Sequence, residues 1–151
     1  MSAIRNIVVA VDFSSHSERA LDQAIELAAP LGATLHLVHS YMEVPAHLLE
    51  RNIWIAEDVW DRIRDEDGQR LEVLRERAAA RGVEVQVHQS PHPPREAIVE
   101  RAAALDADLI VMGTRGHAGL KHMLLGSVAE QTLRAAPCPV MVVPAPRSDA
   151  G

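Results

Sequence analysis

Five short runs of apolar, mostly β-branched residues recur along the chain, each bounded by polar or turn-forming residues. The first and fourth runs are almost continuously apolar, which is typical of strands buried on both faces of a sheet. The third alternates apolar and polar positions and is predicted to lie near a sheet edge. The fifth begins with proline, which also favours an edge. The predicted strands are Ile4–Val11, Thr34–His39, Val83–His88, Ala107–Met112 and Pro139–Val143.

Between these runs the apolar residues recur every three or four positions, which predicts helices. Ser15 and Glu18 have the S-x-x-E spacing of a capping box and predict the start of the first helix, which Gly32 ends. Ser127 and Glu130 repeat that spacing before the last strand. The residues predicted to face the core in these two helices are Leu21, Ala24, Ile25, Ala28, Val128, Ala129, Thr132 and Leu133.

Two further helices are predicted between the second and fourth strands. A long, highly charged one ends near Gly82, and its charges are interpreted as a solvated face. A shorter one opens at Pro93 and Pro94, since proline is tolerated in a first helical turn. Residues 41–52 are predicted to form a loop. The apolar faces of the two helices comprise Ile55, Val59, Ile63, Leu71, Leu74 and Ala78 in the first, and Ile98, Ala102 and Leu105 in the second.

The regular alternation of strand and helix predicts an α/β fold, an open parallel five-stranded sheet with helices on both faces. A length of 151 residues suits one domain. We expect that domain to span residues 1–146 and residues 147–151 to be a disordered tail.

Composition and charge narrow the function classes. The net charge is −6 and aromatic residues make up 3% of the chain, so neither a phosphate-backbone surface nor a base-stacking platform is expected, and nucleic acid is disfavoured as a partner. No apolar run approaches the roughly 20 residues of a membrane span, and no signal-peptide pattern is present. A single cysteine, Cys138, excludes an internal disulfide. A cytoplasmic location is the expectation.

The passage after the fourth strand carries the strongest chemical signal. Gly113 and Gly116 flank two residues at the strand end, and Gly126 precedes a helix that begins near Ser127. Glycines allow backbone N–H groups to turn toward an anion, and a helix N-terminus favours phosphate. Arg115 and Lys121 add positive charge, and the passage as a whole predicts a cradle for a polyphosphate. Ordinary turn and capping chemistry would explain each glycine taken singly.

Asp12 directly follows the first strand, and two roles are open for it. It could cap the following helix, or it could accept hydrogen bonds from ribose hydroxyls or the polar edge of a base. The eight histidines show no firm metal-ligand spacing, so no protein metal site is predicted. His36 and His39 are interpreted as packed imidazoles of the second strand.

Three segments resemble the universal stress protein family, most closely its ATP-binding branch: IVVAVDFS, DLIVMGTRGHAG and LLGSVAEQTLRAAPCPVMVV. The family motif G-x-x-G, nine residues, then G-[ST] is matched by Gly113, Gly116, Gly126 and Ser127. The resemblance implies a flavodoxin-like sheet, of the adenine nucleotide alpha hydrolase-like type, with strand order 3-2-1-4-5. It also implies a homodimer joined through the fifth strands and ATP bound with a divalent cation, expected to be Mg²⁺.

Carried over by position, the resemblance also implies a set of nucleotide contacts. Asp12 corresponds to a residue near adenine and ribose, and the ends of the first two strands back the adenine pocket. The remaining positions line the phosphate loop or lend it an N–H. The residues concerned beyond the motif are Ala10, Asp12, Ser40, Thr114, Arg115, His117 and Val128.

The leading functional hypothesis is a cytoplasmic ATP-binding regulator or adaptor of a stress response, with a protein partner that the sequence does not name. A slow ATPase is the alternative from the enzyme class, although no general base is predicted beside the phosphate loop and no catalytic residue is assigned. A nucleotide-free interaction module is the third hypothesis, and the intact glycine motif argues against it.

Overall fold

A computed structural model describes residues 3–41, 57–114 and 125–144 of the chain. Within those ranges five strands form one sheet in the order β3-β2-β1-β4-β5, and every pairing is parallel. This confirms the predicted fold class and strand order. The strands are β1 (Asn6–Ala10), β2 (Thr34–Ser40), β3 (Val85–Ser90), β4 (Leu109–Gly113) and β5 (Val140–Val143).

The helices of the described residues cover both faces of the sheet, because alternate side chains of each buried strand point to opposite sides. Ile7 and Val9 of β1 belong to one apolar cluster with the first two helices, and Val8 between them belongs to a second cluster with the last two. All three side chains are fully buried. The helices are α1 (Ser15–Leu31), α2 (Glu57–Ala79), α3 (Pro94–Ala104) and α4 (Ser127–Ala135).

Both predicted capping boxes are wrong by one residue. The N-cap of α1 is Ser14, whose hydroxyl accepts a hydrogen bond from the N–H of Ser17, so Ser15 is already helical. The N-cap of α4 is Gly126, without any side-chain cap, and Ser127 is the first helical residue. The predicted end of α1 is confirmed, since Gly32 adopts the left-handed conformation (φ 64°) that glycine tolerates best.

The apolar faces of the helices are mostly as predicted. Leu71, Leu74 and Ala78 of α2 are buried, but Val59 is 37% exposed and Leu133 of α4 is 43% exposed, so their assignment to the core is wrong. Ile55 lies outside the described residues.

The two sheet edges are β3 and β5, as the alternation and the proline predicted. The ends of β1 and β4 opposite to the predicted site are tied by Asp108. Its carboxylate accepts hydrogen bonds from the backbone N–H groups of Arg5 (2.9 Å) and Asn6 (3.0 Å), which lower the pKa of Asp108. Among the described helices none is long and apolar enough to cross a membrane.

Candidate functional site

The carboxyl ends of β1 and β4 lie side by side in the sheet and form the switch point of the fold. The chain leaves β1 into α1 on one face, whereas α3 and α4 cover the other face. Ligands of open parallel sheets bind at such a point because the diverging connections leave a crevice there. The described candidate residues at this edge are Ala10 and Asp12 after β1, Gly113 and Thr114 after β4, and Gly126, Ser127 and Val128 at the start of α4.

Asp12 has a structural task at this point. One oxygen of its carboxylate, Oδ1, accepts hydrogen bonds from the backbone N–H of Ser14 at 2.9 Å and from the Ser14 hydroxyl at 2.5 Å. The backbone N–H of Asp12 donates to the hydroxyl of Ser17 at 3.3 Å. Asp12 therefore does not cap α1 itself. It holds Ser14, the residue that does.

Gly113 has a packing role of its own. A Cβ atom at this position would lie 2.8 Å from both the Cβ and the backbone oxygen of His16 in the first turn of α1. Real Cβ atoms do not approach backbone so closely, so only glycine lets α1 rest against the end of β4. The sequence did not single out His16, because its importance arises from its contact with a residue 97 positions away.

Gly126 joins the end of β4 to the start of α4. Its N–H donates to the carbonyl of Thr114 at 2.6 Å, and its own carbonyl accepts the N–H of Glu130 at 3.0 Å. Its φ of −73° and ψ of 169° are extended values that any residue adopts. The backbone conformation therefore does not require glycine here.

The first turn of α4 presents N–H groups that no side chain of the described residues caps. These include the N–H groups of Ser127 and Val128. Unpaired N–H groups and the helix dipole together favour a bound anion. Arg115, Gly116 and His117, the remaining predicted residues of the phosphate loop, lie outside the described residues.

Ser40 lies at the end of β2, and its side chain binds the backbone of the β3–α3 connection. It is buried, and its hydroxyl donates to the carbonyl of His92 at 2.6 Å. Its register partner is Ser90 of β3. The hydroxyl therefore holds the β3–α3 connection. Ser40 itself lies at the end of β2, where the adenine pocket is predicted.

A hydrogen-bonded histidine supports the backbone next to Asp12. His39 of β2 is buried, and its Nδ1–H donates to the carbonyl of Val11 at 2.7 Å. Its Nε2 lies 2.9 Å from the carboxylate of Asp67 in α2. Sequence reasoning interpreted the charges of α2 as solvated, and missed Asp67 because its partner lies 28 residues away.

Phe13 also contacts His39 and α2. It has a left-handed φ of 64°, and its ring packs on the imidazole of His39 with the centroids 4.5 Å apart. The guanidinium of Arg70 lies 3.9 Å from the centre of the Phe13 ring. Val11 and Phe13, the residues on either side of Asp12, are thus both held by contacts that lead to α2.

Within residues 3–41, 57–114 and 125–144, no group of three or more His, Cys, Asp or Glu side chains could hold a metal ion. Proteins usually bind Mg²⁺ through one or two carboxylates together with substrate phosphates. Asp12 is the carboxylate that the strand ends supply, so a magnesium ion here would depend on the phosphates of a bound nucleotide.

Comparison with known proteins gives the family of this fold and site. Residues 3–144 match the sequence profile of the universal stress protein family. The universal stress protein YxiE of Bacillus subtilis is 36% identical over 143 residues, which cover 91% of this chain and 97% of that protein. The solved structure of the hypothetical protein MJ0577 superimposes with a TM-score of 0.80 at 26% identity, covering 97% of this chain and 99% of that one.

Two similar structures contain nucleotides. A universal stress protein in complex with cAMP is 29% identical with a TM-score of 0.66, over 94% of this chain and 98% of that one. The universal stress protein of Archaeoglobus fulgidus in complex with dAMP is 26% identical with a TM-score of 0.64, over 93% and 98% of the two chains.

Proposed function

Since the chain belongs to the universal stress protein family, we propose that it binds ATP with Mg²⁺ at the switch point and acts as a nucleotide-dependent regulator or adaptor. The observation that carries this proposal is the start of α4. A buried glycine with no conformational need to be glycine stands there, before N–H groups that no described side chain caps.

The position of that helix start suits a phosphate chain. The bond between the Gly126 N–H and the Thr114 carbonyl holds the start of α4 against the end of β4. A phosphate bound by the N–H groups of Ser127 and Val128 would therefore lie at the same edge of the sheet as Asp12, at the end of the neighbouring strand. Glycine at residue 126 adds no side chain beside the N–H groups that such a phosphate would approach.

The nucleoside would lie at the other end of the site. Asp12 is placed after β1, and Ala10 and Ser40 lie at the ends of adjacent strands. Relatives of this fold hold cAMP and dAMP, which share an adenine base. We infer that adenine is also the base recognised by this chain, and that ATP is the physiological ligand.

A regulatory role fits these residues better than an enzymatic one. Oδ1 of Asp12 already accepts two hydrogen bonds from Ser14, which restrains the carboxylate as a general base toward an attacking water. Val11 and Phe13 are linked by His39, Asp67 and Arg70 to α2. Nucleotide binding at Asp12 would therefore change the position of α2, whose outer face could contact a partner.

The test is to ask whether the protein carries nucleotide and where it binds. Protein purified from cells is denatured, and the supernatant is separated by ion exchange to detect released ATP. Gly126→Val is then compared with the wild type by calorimetric titration with ATP. We expect bound nucleotide in the wild type and loss of ATP affinity in a folded Gly126→Val variant.

Two outcomes would overturn the proposal. Unchanged ATP affinity in folded Gly126→Val would remove the start of α4 from the site. Absence of ATP binding by the wild type, at concentrations where cells hold ATP, would leave the nucleotide-free interaction module as the function of this chain.

A further inference from the structure

A second concave site lies along β3, at the edge of the sheet opposite to β5. It is a cavity of about 340 Å³ between β3 and α3, near the lower end of the size range of small-molecule pockets. Its walls combine apolar side chains with a few polar ones. The lining residues that matter here are Val38, His88, His92, Ala97, Arg101 and Ala104.

A chain of hydrogen bonds fixes which nitrogen of His88 carries its proton. Nε2 of His36 lies 3.0 Å from the side-chain oxygen of Asn6, so this nitrogen must donate. In the neutral ring the other nitrogen, Nδ1 of His36, is then an acceptor. It lies 3.1 Å from Nε2 of His88, which therefore donates to it. The remaining nitrogen of His88, Nδ1, keeps its lone pair.

Both rings stay neutral near neutral pH. Burial, and after it the nearby Arg101 and His36, together lower the pKa of His88 to about 4. The pKa of His36 is also lowered, by burial and then by Arg101, with Glu84 opposing the shift. Nδ1 of His88 is therefore a hydrogen-bond acceptor on a side chain that lines the cavity, and no residue of the described part of the chain donates to it.

Arg101 supplies the opposite chemistry. Its side chain is partly buried in the cavity wall, close enough to both rings to shift their pKa values. No hydrogen bond or ion pair joins its guanidinium to any residue in the described part of the chain. The neighbouring acid, Glu100, lines the same cavity, and its carboxylate lies 4.0 Å from Nε2 of His92 rather than against Arg101.

The cavity thus presents a cationic fork, an acceptor lone pair and an apolar wall. The fork of arginine matches a carboxylate, with which it forms paired hydrogen bonds. The lone pair of His88 requires a donor, and a hydroxyl group meets that need. A divalent metal ion would be repelled by Arg101, and inorganic phosphate has no apolar part for Val38, Ala97 and Ala104.

We propose that this cavity is a binding site for a small hydroxycarboxylate, whose carboxylate pairs with Arg101 and whose hydroxyl donates to Nδ1 of His88. The lining of the cavity belongs to β2, β3, α3 and the β3–α3 connection and includes no residue of β1, β4 or α4. The proposal does not depend on nucleotide binding.

The experiment uses the full chain and three matched small molecules: lactate, propionate, which lacks the hydroxyl, and propylene glycol, which lacks the carboxylate. Binding is followed by NMR of the ring signals of His88, identified by their loss in His88→Phe. Lactate should shift these signals saturably, and each of the other two should bind about tenfold more weakly because one polar interaction is lost.

Two variants of α3 complete the test. Arg101→Met keeps much of the aliphatic stem but removes the charge, and should weaken lactate at least about tenfold. Arg95→Met, on the same helix but outside the cavity lining, should bind lactate like the wild type. Saturating ATP should leave lactate binding unchanged.

The proposal is overturned if lactate produces no saturable shift, or if propionate or propylene glycol binds as tightly as lactate. It is overturned equally if Arg101→Met and Arg95→Met behave alike. A response of His88 to zinc or inorganic phosphate without one to lactate would assign the cavity to a different ligand class. Because the comparison of the three molecules uses the wild-type protein, the result does not depend on whether a variant folds.

Discussion

The first turn of α1 rests directly on the end of β4, since a Cβ atom on Gly113 would lie 2.8 Å from the backbone oxygen of His16. Gly113 belongs to the predicted nucleotide motif, and the packing of α1 against β4 also requires glycine at this position. Contact with the backbone cannot be relieved by rotating a side chain, so the two elements would have to move apart to admit any larger residue.

Gly113→Ala should therefore lower the free energy of unfolding, by about 1–3 kcal/mol. Gly68→Ala is the matched control, because Gly68 lies inside α2 and its added Cβ would meet nothing closer than a side-chain oxygen at 3.7 Å. Removing a helical glycine should raise stability by about 0.5–1 kcal/mol. Urea unfolding of the two variants should give opposite signs, and equal stabilities would contradict the contact.

Asp12 and Ser14 form a pair that separates structure from binding. Ser14 caps α1 and Asp12 holds Ser14, so alanine at either position should cost about 0.5–2 kcal/mol of stability. If Asp12 also contacts the nucleoside, only Asp12→Ala should weaken ATP and adenosine. Calorimetric titration of both variants decides the matter: equal affinities would limit Asp12 to its role at the helix start.

The largely buried pair of His39 and Asp67 should contribute far more to stability than an exposed ion pair on the same helix. In the pair of His39 and Asp67 the side chains are 7% and 16% exposed, whereas Arg64 and Asp61 are 47% and 58% exposed. Asp67→Ala removes the carboxylate that lies 2.9 Å from the buried imidazole of His39 and should cost about 1–3 kcal/mol. Asp61→Ala should change stability by less than about 1 kcal/mol. Similar losses in the two unfolding curves would refute this reading of α2.

The pattern of apolar residues predicted the parallel sheet, and the family resemblance predicted its strand order; both are confirmed. The glycine site stays a prediction. The sequence did not predict the pair of His39 and Asp67, since spacing along one helix does not reveal what a neighbouring strand presents to it. One signal was available: His39 has the same strand parity as Leu35 and Leu37, which face α1 and α2.

The predicted position of the first N-cap was wrong for a related reason. Ser14 and Ser15 are both good capping residues, and the S-x-x-E spacing favours Ser15. The hydrogen bonds from Ser14 to Asp12 decide in favour of Ser14, and they form only once the chain turns at Phe13 with its left-handed φ. The spacing of residues along the sequence does not predict that turn.

The pair of His36 and His88 should make the protein less stable in mild acid. The pKa of His88 is lowered from 6.5 to about 4 in the folded chain, so between those values the unfolded chain binds the proton and the folded chain does not. Stability from this source is therefore complete above about pH 6.5 and is lost as the pH falls toward 4.

His88→Gln should flatten that part of the stability profile, whereas His92→Gln, which changes an exposed ring, should leave it as in the wild type. Urea unfolding at several pH values between 4 and 7 measures both. Parallel profiles for the wild type and His88→Gln would show that the buried pair does not control the acid response.

The open edge of β5 is predicted to pair with a second copy of the chain. Ile110 donates to the carbonyl of Pro139, and in a parallel ladder the residues alternate between the two sides of a strand. The backbone groups of Val140 and Val142 therefore point away from β4, to the edge. Unpaired groups on an apolar edge strand attract another strand, and a two-fold axis would pair them with their own copies.

Val142→Pro tests this edge specifically. It removes an outward N–H while leaving the N–H of Met141, which points toward β4, in place, and proline is tolerated on an edge strand in that position. The variant should sediment as a folded monomer at micromolar concentration, whereas Val142→Thr, which keeps the N–H and the β-branched shape, should remain dimeric. A wild-type protein that sediments as a monomer would rule out pairing through β5, and a dimeric Val142→Pro would place the contact on another surface.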